Sequence, residues 1–290
     1  MDRERVVRRS ALLCAAAALI AATPSESVRH WDVPALSSDQ WESHAAIDPR
    51  TGDIWFVRSS PKFSGWHLMI ARCTPDGLAA PEPAPIAAPG LEADPYFADR
   101  GRTLWFISSR ATGGMNSADI DIWRVSRGTD GQWGQPERLP APVNSGSAEW
   151  FPRPAPDGWL YFGSRRAGGM GQDDIWRARL RGGRWMVENA GPAINGPGAE
   201  YEFQPSPDGS WAILSTDKGL VRLTRGPSGW GNRTPYGPEV NVNGTEIGPM
   251  IAPDGHGFLY SRDPGDGRSG EFFVVSDGRR RAWPHPCGKG

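Results

Sequence analysis

The chain has 290 residues, among them 37 glycines, 28 prolines and 14 tryptophans. This composition argues against a helical bundle and is typical of many short strands joined by tight turns. The formal net charge of −1 offers no basic surface, so nucleic acid is not an expected partner.

The first 22 residues have the pattern of a secretory signal peptide. Four arginines precede the apolar run from Ala11 to Ala22, which is too short to stay as a membrane span. Cys14 invites a lipoprotein interpretation, but Leu13 is bulkier than the residue lipidation needs, and the pair Arg8-Arg9 is weak evidence for twin-arginine export. We predict cleavage near Ala22, a periplasmic or secreted protein, and no membrane span afterwards.

Five related units of about 50 residues follow the leader, and each opens with a glutamate. About four strand signals occur per unit, with a turn between the first and second strands. This period is typical of a β-propeller. The opening residues are Glu42, Glu92, Glu149, Glu200 and Glu246.

The third unit, residues 147–177, shows the pattern most completely. Its first strand ends in Pro156-Asp157-Gly158, and Asp-Gly between two strand-like runs predicts a hairpin because glycine accepts positive φ. The apolar strand Trp159 to Phe162, then Ser164-Arg165, a glycine-rich loop and Asp174 to Arg177 complete the unit.

The two ends of the chain predict how the ring closes. Residues 29–36 resemble an outer strand with no blade before it, whereas the last unit lacks one. We therefore expect the N-terminal strand to complete the fifth blade, with Arg281 to Trp283 as the competing closure. Cys73 and Cys287 remain after processing and could form a disulfide in an oxidising compartment. A single propeller domain would span residues 28–283, with a tail at 284–290.

Pro-Asp-Gly after an acidic strand, then Ser-Arg, a Gly-Gly loop and Asp-Ile-Trp, resembles the WD-like propeller repeat of the TolB type, found in many exported bacterial proteins. TolB has an additional N-terminal α/β domain and six blades, and this chain shows neither. The resemblance implies a stand-alone, all-β, five-bladed propeller of four-stranded antiparallel blades. It implies little about function.

The repeated glutamates are predicted to form structural ion pairs rather than five active sites. Opposite charges facing each other across two strands are stabilising. Counting from each turn places an arginine opposite the opening glutamate. The expected pairs are Glu149 with Arg165, Glu246 with Arg262, Glu92 with Arg110, and Glu42 with Arg58.

The fourth unit departs from this pattern. Thr216 stands where the arginine is expected, Asp217 follows, and the glycine loop is missing. The functional interpretation is a ligand-binding pocket; the alternative is simple decay of the repeat. Aromatic rings beside carboxylates suit sugars. The predicted ligand-binding residues are Glu200, Tyr201, Glu202, Asp217, Trp41 and Trp150.

The sequence contains no familiar catalytic or metal-binding motif. The five histidines lack metal-ligand spacing, and neither a nucleophile elbow nor a phosphate loop occurs. Loop aspartates could bind Ca²⁺, although their recurrence beside arginines favours structural turns. No cofactor is therefore expected. These aspartates are Asp119, Asp121, Asp173 and Asp174.

We predict a monomeric binding module that recognises a protein or a cell-envelope glycan through its axial face. The alternative is a glycan-active hydrolase or lyase with carboxylates near the propeller axis, because glycoside hydrolysis uses two carboxyl groups. Its candidate catalytic residues are Glu200, Glu149 and Asp94.

Overall fold

The computed structural model describes residues 27–116, 118–265, 270–276, 283–284 and 287. Five four-stranded antiparallel sheets form a five-bladed β-propeller, so the predicted fold class is confirmed. The predicted leader, Cys14 and most of the tail lie outside the described residues.

The first strand of each blade lies at the axis and the fourth lies outermost. The N-terminal strand is β1 (Ser27–His30). Blade one comprises β2 (Trp41–Ile47), β3 (Ile54–Ser59), β4 (His67–Ala71), the small hairpin β5 (Cys73–Thr74) and β6 (Gly77–Leu78), and β7 (Glu82–Pro83). Blade two comprises β8 (Glu92–Ala98), β9 (Thr103–Ser108), β10 (Asp121–Ser126) and β11 (Glu137–Arg138). Blade three comprises β12 (Glu149–Pro154), β13 (Leu160–Ser164), β14 (Asp174–Arg181) and β15 (Arg184–Asn189). Blade four comprises β16 (Glu200–Pro205), β17 (Trp211–Thr216), β18 (Gly219–Gly226) and β19 (Gly229–Pro235). Blade five comprises β20 (Ile247–Ile251), β21 (Phe258–Arg262) and β22 (Glu271–Ser276).

The ring closes through the N-terminal strand. β1 pairs antiparallel with β22, with Val28 opposite Val275, and supplies the fourth strand of blade five. The predicted origin of the closing strand is therefore confirmed. The predicted bounds of this strand, residues 29–36, were wrong because they lay too close to the C-terminus, since β1 ends at His30. Val33 to Leu36 form a turn in which Leu36 N donates to Val33 O.

A disulfide joins Cys73 in β5 to Cys287 in the tail, with the Cα atoms 5.0 Å apart. Trp283 precedes Cys287 closely in sequence and is bound by Arg29. Arg29 Nη2 donates a hydrogen bond to the Trp283 carbonyl at 3.0 Å. The disulfide thus connects the chain leaving blade five to blade one, the same two blades that meet where the ring closes.

Apolar side chains between neighbouring blades form the core. Trp105 and Trp176 are buried in one cluster between blades two and three, with Ile107 and Phe162. Trp211 lies in the cluster between blades four and five. Burial of this kind is the main favourable contribution to folding, and it explains why most tryptophans recur at matching strand positions.

Every innermost strand is interrupted by a β-bulge shortly after its opening glutamate, and the bulge in blade four lies one residue earlier than in the other blades. The pairing register shifts once between the first and second strands of each blade. A bulge adds one residue, bends the strand and redirects a side chain. A bulge therefore lies beside the axis in each of the five blades.

In the part of the chain that the structure describes, no helix is both long enough and apolar enough to cross a membrane.

Candidate functional site

The five axial residues are the second ones after the opening glutamates. In four blades the bulge includes this residue, whereas in blade four the bulge is at Tyr201 and Glu202 pairs with Ser215. Three of the four non-glycine axial residues have positive φ, as does the glycine. Positive φ is uncommon for residues with a side chain and is often found at functional sites. Contacts between successive innermost strands close the ring around them. These five axial residues are His44 (φ 49), Asp94 (φ 58), Phe151 (φ 53), Glu202 and Gly248 (φ 64).

One hydrogen-bonded network joins the five axial residues. His44 Nε2 lies 2.8 Å from Glu202 Oε1 and 3.3 Å from Asp94 Oδ1. The Phe151 backbone N–H donates to Asp94 Oδ2 at 2.7 Å, and that of Gly248 donates to Glu202 Oε2 at 2.8 Å. Since each residue comes from a different blade, the network connects all five blades at the axis.

The pKa values of the three titratable axial groups are set by burial and by one another. Burial alone would lower the pKa of His44, but Asp94 and Glu202 together raise it above its usual 6.5. Burial raises the pKa of Asp94, and the nearby His44 does not fully offset this. For Glu202, His44 and the donors Ser215 and Gly248 outweigh burial and lower the pKa. The imidazole therefore lies between two carboxyl groups whose pKa values are shifted in opposite directions.

A buried arginine lies one layer further along the axis. Arg153 donates from Nε to Gln204 Oε1 at 2.7 Å and stacks on Phe151, with Cζ 3.5 Å from the ring centroid. Burial lowers its pKa to about 10, against the attraction of Asp94, Tyr96 and Glu202. Arg153 and His44 thus place two basic side chains beside the two acidic side chains of this axial cluster.

A cavity of about 590 Å³ opens above the axial network. His44, Asp94 and Glu202 lie at its polar end, and Arg165 and Asp173 also contact it. The remaining wall is aromatic and aliphatic. This combination of apolar walls and a few converging polar groups is typical of ligand sites. The aromatic lining residues are Phe63, Trp66, Trp150 and Tyr201, and the aliphatic ones are Val57, Leu91, Ala93, Ile107, Ala118, Ile120, Ala148, Ala199 and Ile247.

The structure divides the predicted ligand-binding residues into two groups. Tyr201, Glu202 and Trp150 line the axial cavity, as does Asp94. Trp41 does not line it; its ring packs against Phe63, with centroids 5.5 Å apart.

Glu200 and Asp217 are also not among the lining residues. Asp217 is exposed on the loop after β17. Glu200 is buried and bonded at 2.8 Å to Nη2 of Arg233 from the outermost strand β19. The expectation that Glu200 lacks an arginine was therefore wrong, because the partner comes from the fourth strand rather than the second.

The predicted ion pairs are formed in two blades as expected, by Glu92 with Arg110 and by Glu42 with Arg58. In blade three Glu149 pairs with Arg166 at 2.7 Å, whereas Arg165 pairs with Asp173. The bulge after Trp150 explains this correction: it moves the register by one, so Glu149 lies opposite Ser164.

In blade five, Glu246 and Arg262 form no salt bridge within the described residues, although they flank the paired residues Ile247 and Ser261. Arg262 Nη1 donates to the Glu239 and Val240 carbonyls, and Glu246 Oε1 accepts the backbone N–H groups of Val242 and Asn243. Each side chain thus bonds to backbone groups instead of to the other, while Glu246 Oε2 and Arg262 Nε have no hydrogen-bond partner among the described residues.

Burial, not the paired arginine, dominates the titration of Glu149. Its pKa is raised by burial, although Ser145 and Arg166 act to lower it. Neither Glu149 nor Glu200 lines the cavity, and each is paired with an arginine of its own blade, so both are positioned as structural groups rather than as reacting groups.

The loop aspartates considered for Ca²⁺ bind protein groups. Asp121 accepts from Arg138, and Asp174 accepts backbone N–H groups of the glycine-rich loop and the Asn189 amide. Among the residues described, no three histidine, cysteine or acidic side chains are arranged to hold a metal ion.

Sequence reasoning missed His44, Phe151 and Gly248. The signal was present in the repeat: the position two residues after each opening glutamate holds a different residue in every blade, whereas the glutamate itself is constant. Variation at one repeat position is what a shared axial site requires, because each blade contributes a different group to it.

Comparisons with known proteins show the fold. No family model matches the chain, and no curated protein matches its sequence. A luciferin-regenerating enzyme has a similar structure, with a TM-score of 0.51, 12% identity, and coverage of 87% of this chain and 95% of that one. A candidate TolB from Agrobacterium tumefaciens has a TM-score of 0.49 and 14% identity, with coverage of 87% of this chain and 91% of that one. The GH93 alpha-L-arabinofuranosidase of Fusarium graminearum has a TM-score of 0.46 and 11% identity, with coverage of 81% of this chain and 77% of that one. At such identities the fold is what is shared, and fold does not determine function.

Proposed function

We propose that this protein is an exported, monomeric propeller of the TolB-like type that binds an envelope partner by taking apolar groups of that partner into the axial cavity. The observation that carries the proposal is the cavity itself, with four aromatic and nine aliphatic residues around a polar end. A deep apolar wall of this kind suits protein side chains better than the many hydroxyls of a sugar, so a protein partner is favoured over a glycan.

Two exposed methionines support a protein partner. Met115 and Met170 occupy matching glycine loops of blades two and three and are 43% and 48% exposed. Methionine is flexible and polarizable, and it is common on surfaces that adapt to a protein ligand. Met115 lies within reach of Gly65 in the loop between Phe63 and Trp66, so it is placed near the aromatic part of the cavity.

The proposal is tested by blocking the cavity without disturbing the core. Ala118 lines the cavity and is exposed, so Ala118→Trp should obstruct it at little cost in stability. The matched control is Ala80→Trp, at an exposed position on the outside of blade one. Mature wild type and both variants are immobilised, exposed to solubilised envelope proteins and analysed by quantitative mass spectrometry.

A protein retained by wild type and Ala80→Trp but lost with Ala118→Trp supports the proposal. The same three proteins are applied to a glycan array. Glycan binding lost with Ala118→Trp, without such a protein, would replace the protein partner by a glycan. Identical binding profiles for all three proteins would contradict an axial site.

A second candidate function is glycan hydrolysis, and it now involves different residues. Asp94 Oδ1 and Glu202 Oε1 both contact His44 Nε2, so the two carboxyl groups lie within about 6 Å of each other, near the separation found in retaining glycosidases. The raised pKa of Asp94 suits a proton donor and the lowered pKa of Glu202 suits a nucleophile or base. In this reaction Asp94 would protonate the leaving oxygen while Glu202 attacks the anomeric carbon or activates water.

A hydrolysis screen separates the two functions. Turnover that is abolished by Asp94→Asn and by Glu202→Gln, but retained by Glu149→Gln, would establish the enzyme. Absence of turnover on a broad glycan panel, together with a partner dependent on the open cavity, leaves the binding function.

A further inference from the structure

A second cavity, of about 660 Å³, lies between the outer parts of blades one and two. It is lined by residues of the Asp48 to Gly52 turn region, by the segment linking the two blades, and by the loop that carries Trp133. It shares no lining residue with the axial cavity. We call it the interblade groove.

The groove is rich in cationic side chains. Of the residues in the described part of the chain, four arginines and one acid, Asp53, line it. Asp53 is buried, and its Oδ1 accepts the Cys73 backbone N–H at 2.8 Å. Three of the arginines have carboxylate partners outside the lining. The arginines are Arg50, Arg72, Arg110 and Arg127, and those partners are Glu82 for Arg72, Glu92 for Arg110 and Asp48 for Arg127.

Arg50 differs from the other three. No acceptor contacts its guanidinium among the described residues, although its position is fixed. Its backbone N–H donates to Asp48 Oδ1 at 2.9 Å, and its aliphatic stem lies against Gly101, where an added Cβ would come within 3.0 Å of Arg50 Cγ. The groove therefore holds one arginine whose stem is packed and whose charged end is available.

Two buried donors of the same groove have no hydrogen-bond partner among the residues that the structure describes. Trp55 is 1% exposed and its indole Nε1 is unsatisfied. Arg127 is 6% exposed, and its Nε is unsatisfied although its Nη atoms bind Asp48. Leaving a buried donor unpaired costs about 1–3 kcal/mol, so two of them in one cavity indicate that an acceptor belongs there.

Trp133 brings the two donors together. Its ring meets that of Trp55 edge-on, with centroids 5.8 Å apart, and Arg127 Cζ lies 4.2 Å from its centroid. The side chains of Trp55 and Arg127 therefore both contact one indole ring. Ile70 and Ile86 add apolar surface to the same groove.

We propose that the interblade groove binds an organic oxyanion. Its carboxylate or phosphate group accepts from Trp55 Nε1 and Arg127 Nε and is paired with Arg50, while its apolar or aromatic body packs on Trp133 and Ile86. Charge-assisted hydrogen bonds to arginine are strong and suit oxyanions. The proposal is independent of the axial site, because no residue is common to the two cavities.

The Trp55 indole N–H gives a direct readout by NMR. In mature, ¹⁵N-labelled protein its indole signal is identified as the one missing from Trp55→Phe. Benzoate and phenyl phosphate are titrated in, with acetate and inorganic phosphate as probes that lack the aromatic body. The proposal predicts a saturable shift of the Trp55 indole signal with benzoate, phenyl phosphate or both, and weaker binding of the small anions.

The two aromatic probes also distinguish the source of the oxyanion, since a response to only one of them assigns the head group as carboxylate or phosphate. Arg50→Gln should weaken the effective probe about tenfold, as expected for loss of one charge-assisted hydrogen bond. Arg184→Gln is the matched control, an exposed arginine on β15 in blade three.

Three results would overturn the proposal. A Trp55 signal that no probe moves would mean that water alone satisfies these donors. Equal affinity in wild type and Arg50→Gln would remove the arginine from the site. Equal weakening by Arg50→Gln and Arg184→Gln would reduce the effect to nonspecific attraction by surface charge. Because Arg50 is exposed, its variant should fold even if Trp55→Phe is destabilised.

Discussion

The imidazole of His44 in blade one is bonded to Glu202 in blade four, with Nε2 and Oε1 2.8 Å apart. A side chain from one blade thus crosses the axis to a strand two blades away in the ring. The same imidazole nitrogen contacts Asp94 of blade two. The axial network therefore forms the polar end of the cavity and also ties distant blades to one another.

His44 should make the stability of the protein depend on pH. A histidine whose pKa is raised on folding contributes stability that is fully present below its unfolded pKa of about 6.5, and that is lost as pH rises through the folded pKa. Unfolding free energies from urea titrations between pH 6 and 9 should therefore decline for wild type and change less for His44→Gln. His67→Gln, at an exposed position on β4, should keep the wild-type slope; the same slope in all three proteins would refute the assignment.

Glu202 should have the opposite effect at acid pH. A carboxyl group whose pKa is lowered on folding contributes stability that is present above its unfolded value, near 4.5, and that is lost as pH falls through the folded pKa. Glu202→Gln should lose this acid-dependent part of the unfolding free energy. The measurement is the urea midpoint between pH 5 and 3, with Glu188→Gln, an exposed acid on β15, as control. A Glu202→Gln profile parallel to wild type would contradict the prediction.

The pair of Glu200 with Arg233 should be important for stability. Glu200 is 5% exposed, so Arg233→Met leaves a buried carboxylate without its partner. We expect a loss of about 3 kcal/mol in the unfolding free energy. Arg72→Met is the matched control, because Arg72 and Glu82 are both half exposed and such pairs contribute at most about 1 kcal/mol. Similar losses for the two variants would show that burial of Glu200 does not matter.

Gly248 should tolerate no side chain. It has φ +64, and an added Cβ would lie 2.8 Å from the His44 backbone nitrogen. Gly158 in the Asp-Gly turn has φ +79 with open space around it. Gly158→Ala should therefore cost about 1–2 kcal/mol from backbone strain alone, and Gly248→Ala should cost more because it also displaces His44. Chemical denaturation compares the two, and equal losses would mean that the close approach to His44 relaxes freely.

The disulfide should stabilise the closed ring. Cys73 and Cys287 are 214 residues apart in sequence, so the bond restricts most of the unfolded chain. Cys73→Ser should lower the unfolding free energy by about 4 kcal/mol, and reductant should destabilise wild type but not this variant. A Cys73→Ser/Cys287→Ser double variant should be no less stable than the single one. A melting temperature of wild type that is insensitive to reductant would contradict this role.

The architecture could be predicted from the sequence because the same type of turn recurs in every blade. Gly158 and its equivalents accept positive φ, and the aromatic strands that follow them can only be buried between blades. The closing strand was also predictable, since the last unit lacked a fourth strand and the N-terminus supplied an extra one.

The site was harder to predict because it depends on the bulges. A bulge shifts the register by one residue and is not marked by a special residue type, so Arg165 was expected opposite Glu149 where the structure has Ser164. Arg233 was missed for a related reason: it reaches Glu200 from the fourth strand, and turn counting relates only the first two. Asp94, Glu202, Trp150 and Tyr201 were identified, but His44, the common partner of Asp94 and Glu202, was not.

Site-specific photocrosslinking tests the axial cavity most directly. Benzoyl-phenylalanine is placed at position 118, at the cavity, or at position 80, on the outside of blade one, and the protein is irradiated with solubilised envelope proteins. The account predicts a discrete crosslinked product at position 118 that is absent at position 80. Equal products at both positions, or none at position 118, would contradict a binding site on the propeller axis.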